Sequence, residues 1–376
     1  MRKLRKIGVG VIGCGEIAYQ AHLPCFKRIP EVDLIAVADI VPERAKAAAE
    51  EFGVKFWYSD YQKVLNRDDI DAVSIATPHG THAEIAIRAA EAGKHILCEK
   101  PLATNVKEAD AMVNAARKAG VKLMTGYQNR FTPLFQKIKE LLDNEIIGQI
   151  YEVSTIGSSW HSASPWFYQR EKAGGGIGLD SVVYTTYEWN CWVGKVDSIY
   201  AFCDTRFPER ETTEHWLPPD IKTEASKSVR SLRKIKVKVT VEDSFSCIIR
   251  FKNGAVGLIY RSWTSRAQAG MRLSEIDGSD GCIIYNSPAL IKEGVDLAIK
   301  TIRDMDGISR DWNYIQLPKL AHGEAWFLRA KHFIDCIIQD KEPLVTGEDG
   351  RDAVEVIQAA YISSLRGEPV KLPLPR

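Results

Sequence analysis

The sequence predicts a two-part α/β protein, with a doubly wound parallel sheet first and a larger, mostly antiparallel open sheet after it. Three features carry this expectation. The first third alternates short apolar runs with helical segments. A glycine turn follows the first of those runs. From about residue 196 onward strand-like segments dominate.

Residues 6–13 (KIGVGVIG) form a short apolar run ending in glycine, and 17–28 is helix-like. Residues 32–39 (VDLIAVAD) form a second run that ends in an acid. Pro42 then opens a helical stretch, as proline does at a first helical position. The alternation continues through DAVSIAT (71–77), a helix over 83–92, KHILCEK (94–100), a helix over 106–119 and VKLMTGY (121–127). Strands apolar on both faces and separated by helices indicate a parallel sheet covered on both sides. This domain is expected to span residues 1–128.

Residues 129–376 are expected to form the second domain. A helix over 133–143 and another after Gly174-Gly175-Gly176 precede the strands SIYAFCDT, VEDSFSCIIRF, AVGLIYRSW, MRLSEIDG and GCIIYN. Asn253-Gly254 and the segment from Asp277-Gly278 mark antiparallel hairpins. Helices are expected over 324–339 and 350–365, and residues 206–238 read as a long charged loop.

Gly13-Cys14-Gly15-Glu16-Ile17-Ala18 fits GxGxxA between a strand and a helix. In a Rossmann domain such a turn lets a pyrophosphate approach the backbone at a helix N-terminus. Asp39, closing the second strand, is suited to the adenosine ribose hydroxyls and would repel a 2′-phosphate. NAD is therefore expected over NADP.

Composition narrows the remaining classes. Charged residues are 26% and hydrophobic residues 45% of 376, as in a globular protein. Fifty basic against 49 acidic residues leave a net charge of +1, which argues against nucleic acid as a partner. No apolar run reaches the roughly 18 residues of a membrane span, and the basic N-terminus is too glycine-punctuated for a secretory signal. A cytoplasmic protein is expected. The eight cysteines show no CxxC or zinc spacing, so reduced thiols and no metal centre are expected.

Residues 76–98, Glu99-Lys100-Pro101, GYQNRF (126–131), AGGGIGLD (173–180) and 346–361, in this order, closely resemble the Gfo/Idh/MocA family of sugar and cyclitol oxidoreductases. The resemblance spares only 206–238. It implies NAD(P)-linked oxidation or reduction of a sugar-like alcohol, with Lys100 near the nicotinamide and the substrate hydroxyl and Asp180 holding substrate. It implies a cofactor loop of Ala76, Thr77, Pro78 and His79 with His82 nearby, and places Glu99 and Gln128 along the cofactor cleft. Gly13, Gly15, Glu16, Ile17 and Asp39 complete the expected cofactor set.

The family commonly carries D-x-G-x-H after the glycine cluster; here Val182 and Tyr184 stand for the glycine and the histidine. Oxidising an alcohol needs a base for the hydroxyl proton while hydride leaves. Tyrosine can serve if a lysine cation lowers its pKa from about 10. Asp180 and Tyr184, one helical turn apart, share a face. Lys100, Tyr184 and Asp180 are thus the expected catalytic group, with His161 and His322 as substitute proton carriers. Trp160 and Trp166 offer apolar ring faces, and Asn129, Arg130, His161 and Arg170 polar partners, for a sugar. A homodimer or homotetramer through the second sheet is expected. An NAD-dependent glycosidase acting by transient ring oxidation, or a non-catalytic nucleotide-binding regulator, remain as alternatives.

Overall fold

The computed structural model of the chain describes residues 5–160, 164–215, 217–266, 271–304 and 307–375. Strands β1 (Ile7–Ile12), β2 (Val32–Ala38), β3 (Phe56–Tyr58), β4 (Ala72–Ile75), β5 (His95–Cys98) and β6 (Leu123–Thr125) form one sheet in the order β3-β2-β1-β4-β5-β6. All five pairings are parallel. Helices α1 (Leu23–Arg28), α2 (Pro42–Phe52), α3 (Gln62–Leu65), α4 (His82–Glu91) and α5 (Val106–Ala119) connect them. Alternate residues feed different cores: Val11 and Leu97 enter one, Ile12 and Ile96 the other. That is why these strands read as unbroken apolar runs. The strand order reverses between β1 and β4, so a crevice opens at their carboxyl ends, the place where such sheets bind ligands.

The second part begins with α6 (Pro133–Asp143), capped by the Thr132 side chain, then β7 (Ile150–Ser158), α7 (Arg170–Ala173) and α8 (Val183–Trp192). β8 (Val196–Asp204), β9 (Glu209–Thr213), α9 (Glu224–Val229), β10 (Lys234–Lys238), β11 (Ser244–Phe251), β12 (Val256–Ser262), β13 (Met271–Gly278) and β14 (Gly281–Tyr285) follow. The chain ends with α10 (Pro288–Lys292), β15 (Leu297–Thr301), β16 (Asn313–Ile315), α11 (Glu324–Ile338), α12 (Gly347–Arg366) and β17 (Val370–Lys371). Nine strands pair as β16-β15-β14-β13-β7-β12-β11-β8-β17. Only β7 with β12 is parallel among these pairings. Phe245, Cys247, Ile249 and Phe251 of β11 are buried, whereas Ile248 and Arg250 between them are exposed. One face of this sheet therefore carries the core and the other is open.

Several short elements, β3, α10, β15, β16 and β17, go unread in the sequence, and two larger departures matter more. The central strand β7 escapes a reading based on apolar runs because Glu152, Ser154, Thr155 and Ser158 interrupt its pattern. Tertiary pairing on both edges makes it a strand. Residues 206–238 are not a plain loop: β9 and β10 form a separate antiparallel ribbon that carries α9.

Candidate active site

The glycine turn lies in the crevice. Gly13 has φ +96, and a side chain there would strike the Ala76 carbonyl oxygen at 2.5 Å. A Cβ on Gly15 would meet nothing within 4 Å, so a phosphate has room to reach the backbone. A wide π-helical turn, Ala18–His22, follows. Asp39 joins the two ends of this wall, its carboxylate accepting from Cys14 N and Val41 N, both at 2.9 Å. These residues fit a dinucleotide whose ribose faces Asp39.

Lys100 ends the strand-to-turn segment after β5, and its peptide bond to Pro101 is cis. Asp180 arrives from the second part on another π-helical turn, Gly178–Val182. That turn is anchored from below: Glu242 Oε1 accepts from Gly176 N and Gly178 N, each at 2.9 Å, and from the Tyr361 hydroxyl at 2.6 Å. Lys100 Nζ donates to Asp180 Oδ1 at 2.7 Å and to the Asp180 carbonyl at 3.1 Å. An ammonium has three donors, and the third has no partner among the described residues. Burial by itself would lower the Lys100 pKa, but the Asp180 carboxylate, helped by Tyr184 and Glu99, outweighs it and raises the value above that of an ordinary lysine.

Tyr184 lies beside this pair. Its hydroxyl donates to Gln128 Oε1 at 2.8 Å, and Lys100 Nζ sits 5.0 Å from its ring centroid. The expected lowering of its pKa does not occur. Burial pushes it up to about 12, and the Lys100 charge opposes this only in part. The reason is geometric: Lys100 faces the ring, while its hydrogen bonds go to Asp180.

Glu99 turns the other way. Its carboxylate is buried and accepts from Arg329 Nη1 at 2.6 Å and His22 Nε2 at 2.9 Å. Burial would raise its pKa, but Arg329 and then His22 hold it well below the usual carboxylate range. His22 is kept neutral by burial, so Nε2–H donates to Glu99 and Nδ1 accepts the Ser74 hydroxyl at 2.6 Å. Arg329 also donates to the Gly126 carbonyl at 2.9 Å. Glu99 thus braces the floor of the cleft instead of lining it.

Other expected contacts are also engaged within the protein. His82 is fully buried between the carbonyls of Pro101 and Thr77, both at 2.9 Å, and supports the loop rather than facing a cofactor. His79 is buried against the edges of Trp166 and Phe167, with Nδ1 3.1 Å from the Ala173 carbonyl; burial pushes its pKa down to about 3. Trp166 therefore clasps the loop after β4 to the second part. Arg170 donates to the carbonyls of Thr240 and Gly174, and Arg130 lies over Phe135. Asn129 donates to Glu188 Oε1 at 2.8 Å, and burial pushes Glu188 up to about 7. Trp160 is exposed, with Arg210 and Arg266 over its ring at 4.5 and 4.7 Å. His322 is exposed against Trp326, apart from the Lys100 group. His161 lies outside the described residues. Glu16 and Ile17 are half-buried on the glycine turn, and Thr77 and Pro78 border the crevice beside Ala76. Among the described residues the one group with metal-ligand spacing is Glu275, Asp277 and Cys282, on the strands of the second sheet.

Residues 7–127 match the family profile described as "Oxidoreductase family, NAD-binding Rossmann fold", and 135–284 match the GFO/IDH/MocA C-terminal domain. Levoglucosan dehydrogenase of Pseudarthrobacter phenanthrenivorans is 33% identical over 75% of this chain and 74% of its own length. Myo-inositol 2-dehydrogenase of Thermotoga maritima is 30% identical over 97% of this chain and 98% of its own length. A solved levoglucosan dehydrogenase in complex with NADH superposes with a TM-score of 0.83 at 27% identity, covering 98% of this chain and 100% of that one. With both domain profiles matched in order, the chain belongs to the Gfo/Idh/MocA family of oxidoreductases, and its first domain is an NAD-binding Rossmann fold.

Proposed function

We propose that the protein oxidises a ring secondary alcohol of a sugar, glycoside or cyclitol, or reduces the matching ketone, with Lys100, Asp180 and Tyr184 as the reacting group. The carrying observation is the Lys100–Asp180 pair at the mouth of the parallel sheet, with one lysine donor unengaged among the described residues. Relatives named for levoglucosan, myo-inositol, scyllo-inositol and apiose oxidation support this substrate class and do not favour the glycosidase reading. The division of labour follows the sequence, with residues 1–128 binding nucleotide and 129–376 binding substrate.

NAD bound in the crevice supplies the hydride acceptor. The rest is proton chemistry on this chain. Lys100, kept as an ammonium, donates a proton to the substrate oxygen during ketone reduction and, once deprotonated, accepts the hydroxyl proton during oxidation. Asp180 fixes the ammonium's direction. Tyr184, a neutral phenol below about pH 12, is a second donor, and Gln128 holds it. Of the expected substrate-side residues, Trp160 is left exposed to meet a sugar, whereas Asn129 is tied to Glu188.

The experiment is a screen with NAD against monosaccharides, inositols, anhydro-sugars and glycosides, following NADH and released sugar together. Stoichiometric NADH supports the dehydrogenase. Bond cleavage without NADH supports the glycosidase, and neither supports the regulator.

A cross-strand row on the open sheet face carries Tyr200, Ile248, Leu258, Ile284 and Tyr314, with Ser154, Glu275 and Ala298 interleaved among them. We infer that a second copy covers it, giving a homodimer or homotetramer. Sedimentation showing a stable monomer at micromolar concentration would refute this. Among the described residues no helix is long and apolar enough to cross a membrane.

A further inference from the structure

The segment that the resemblance spares, residues 206–238, makes the most unexpected contact in the fold. It leaves the second sheet at the end of β8 and lands on the nucleotide domain. Its base is fixed. Asp243 accepts from Arg206 N at 2.7 Å and Phe207 N at 3.0 Å, and pairs with Arg210 at 3.1 Å, both side chains being buried. The β9–β10 ribbon then extends for five paired residues, about 17 Å at 3.4 Å per residue.

The head of the segment, residues 217–231, docks on α2. Glu51 near the end of α2 accepts from Lys222 N at 2.7 Å, and from Thr223 N and the Thr223 hydroxyl at 2.8 Å each. Ser226, fully buried, donates to the Ala47 carbonyl at 3.2 Å and accepts the Tyr19 hydroxyl at 3.0 Å. Leu217 and Ile221 of the head are buried as well. Two of the anchoring elements border the nucleotide crevice: Tyr19 follows the glycine turn, its N bonding the Gly15 carbonyl, and α2 starts three residues after Asp39. His215, which leads into the head, is close enough to Arg44, in the first turn of α2, to feel its charge.

We propose that residues 214–215 and 217–226 form a third wall of the nucleotide site, closing its adenosine end, so that the dinucleotide leaves only when the head undocks from α2. The inference rests on the reading that Gly13, Gly15 and Asp39 hold the adenosine half. The second domain would then control cofactor release through a contact remote from Lys100. A surface loop with no such role would not need a buried serine, a carboxylate on the partner domain gathering three donors, and two buried apolar side chains.

Two variants test it. Glu51→Ala removes the acceptor for three head donors while leaving the glycine turn and Asp39 intact. The second replaces residues 209–238 by Asn-Gly. Val239 N donates to the Pro208 carbonyl at 2.8 Å, so the ends are close enough for a two-residue turn. NADH dissociation is followed by stopped-flow fluorescence, with ADP and nicotinamide mononucleotide affinities measured beside it. The expected result is NADH release at least tenfold faster in both variants, ADP weakened about tenfold and the mononucleotide unchanged. If the excised chain does not fold, Glu51→Ala alone decides. Release within twofold of wild type, or equal weakening of ADP and the mononucleotide, overturns the wall. Failure of the wild type to bind NADH at all overturns the reading of the site, and the wall with it.

Discussion

Glu99 and Lys100 are neighbours in sequence, and each makes an ion pair with the second part of the chain, but the two pairs differ in kind. Glu99 and Arg329 are 8% and 1% exposed; Lys100 and Asp180 are 16% and 14% exposed. Both Glu99 oxygens are engaged, and its neighbours His22 and Arg329 are tied in turn to the Ser74 hydroxyl and the Gly126 carbonyl, with only Arg329 Nε left without a partner among these groups. Lys100 keeps a donor directed to no described partner. The alternation of an extended segment sends consecutive side chains to opposite sides. One side locks the two domains together, and the other keeps a proton at the crevice. A buried pair of this kind is costly to break but adds little chemistry, whereas the half-open pair is where turnover should be lost.

Substitutions should separate the two. Lys100→Met should lower turnover by about 10² to 10⁴-fold, the usual worth of general acid–base catalysis, with NADH affinity and urea midpoint close to wild type. Arg329→Met should leave Glu99 charged and unpaired and cost about 3–5 kcal/mol in urea denaturation. Adding Glu99→Gln should recover most of that loss, and a double variant no more stable than the single one would show that Arg329 acts by packing. Tyr184→Phe keeps the ring beside Lys100 and loses only the hydroxyl with its bond to Gln128. A fall in turnover of about 10² is expected, at the low end for a general acid. Near-normal turnover at every pH would make Tyr184 a packing residue. The smallest effect belongs to the adenosine end. Asp39→Ala should weaken NAD about tenfold, roughly 1.4 kcal/mol, and narrow the gap to NADP in paired titrations.

What the sequence reveals follows the range of the interactions. The parallel sheet, the glycine turn and Asp39 are legible because each depends on neighbours within a few residues of chain. Lys100, Asp180 and Tyr184 are legible only through resemblance, since 80 residues separate the lysine from the aspartate it pairs with. Arg329 meets Glu99 across 230 residues, and nothing local marks it. His22 has a weak signal, a histidine on the helix that opens from the glycine turn. The polar candidates Arg130 and Arg170 mislead for a related reason. Composition tells that a guanidinium is present, but not that Phe135 or the Thr240 carbonyl already holds it. The segment 206–238 reads as a loop because its β ribbon is charged and exposed, and the contact that orders its head lies on another domain.

Asp180 holds Lys100 as an ammonium, which donates readily and accepts only after losing its proton. Burial would lower the Lys100 pKa and Asp180 raises it. Below the raised value the protonated form dominates, so the fraction able to accept a proton grows about tenfold per pH unit. The decisive measurement is the rate of alcohol oxidation with saturating NAD from pH 6 to 10, in wild type and Asp180→Asn. The wild-type rate should climb through this range without levelling, and a plateau should appear within it once the carboxylate is removed. A wild-type plateau near neutral pH, unchanged in Asp180→Asn, would contradict it.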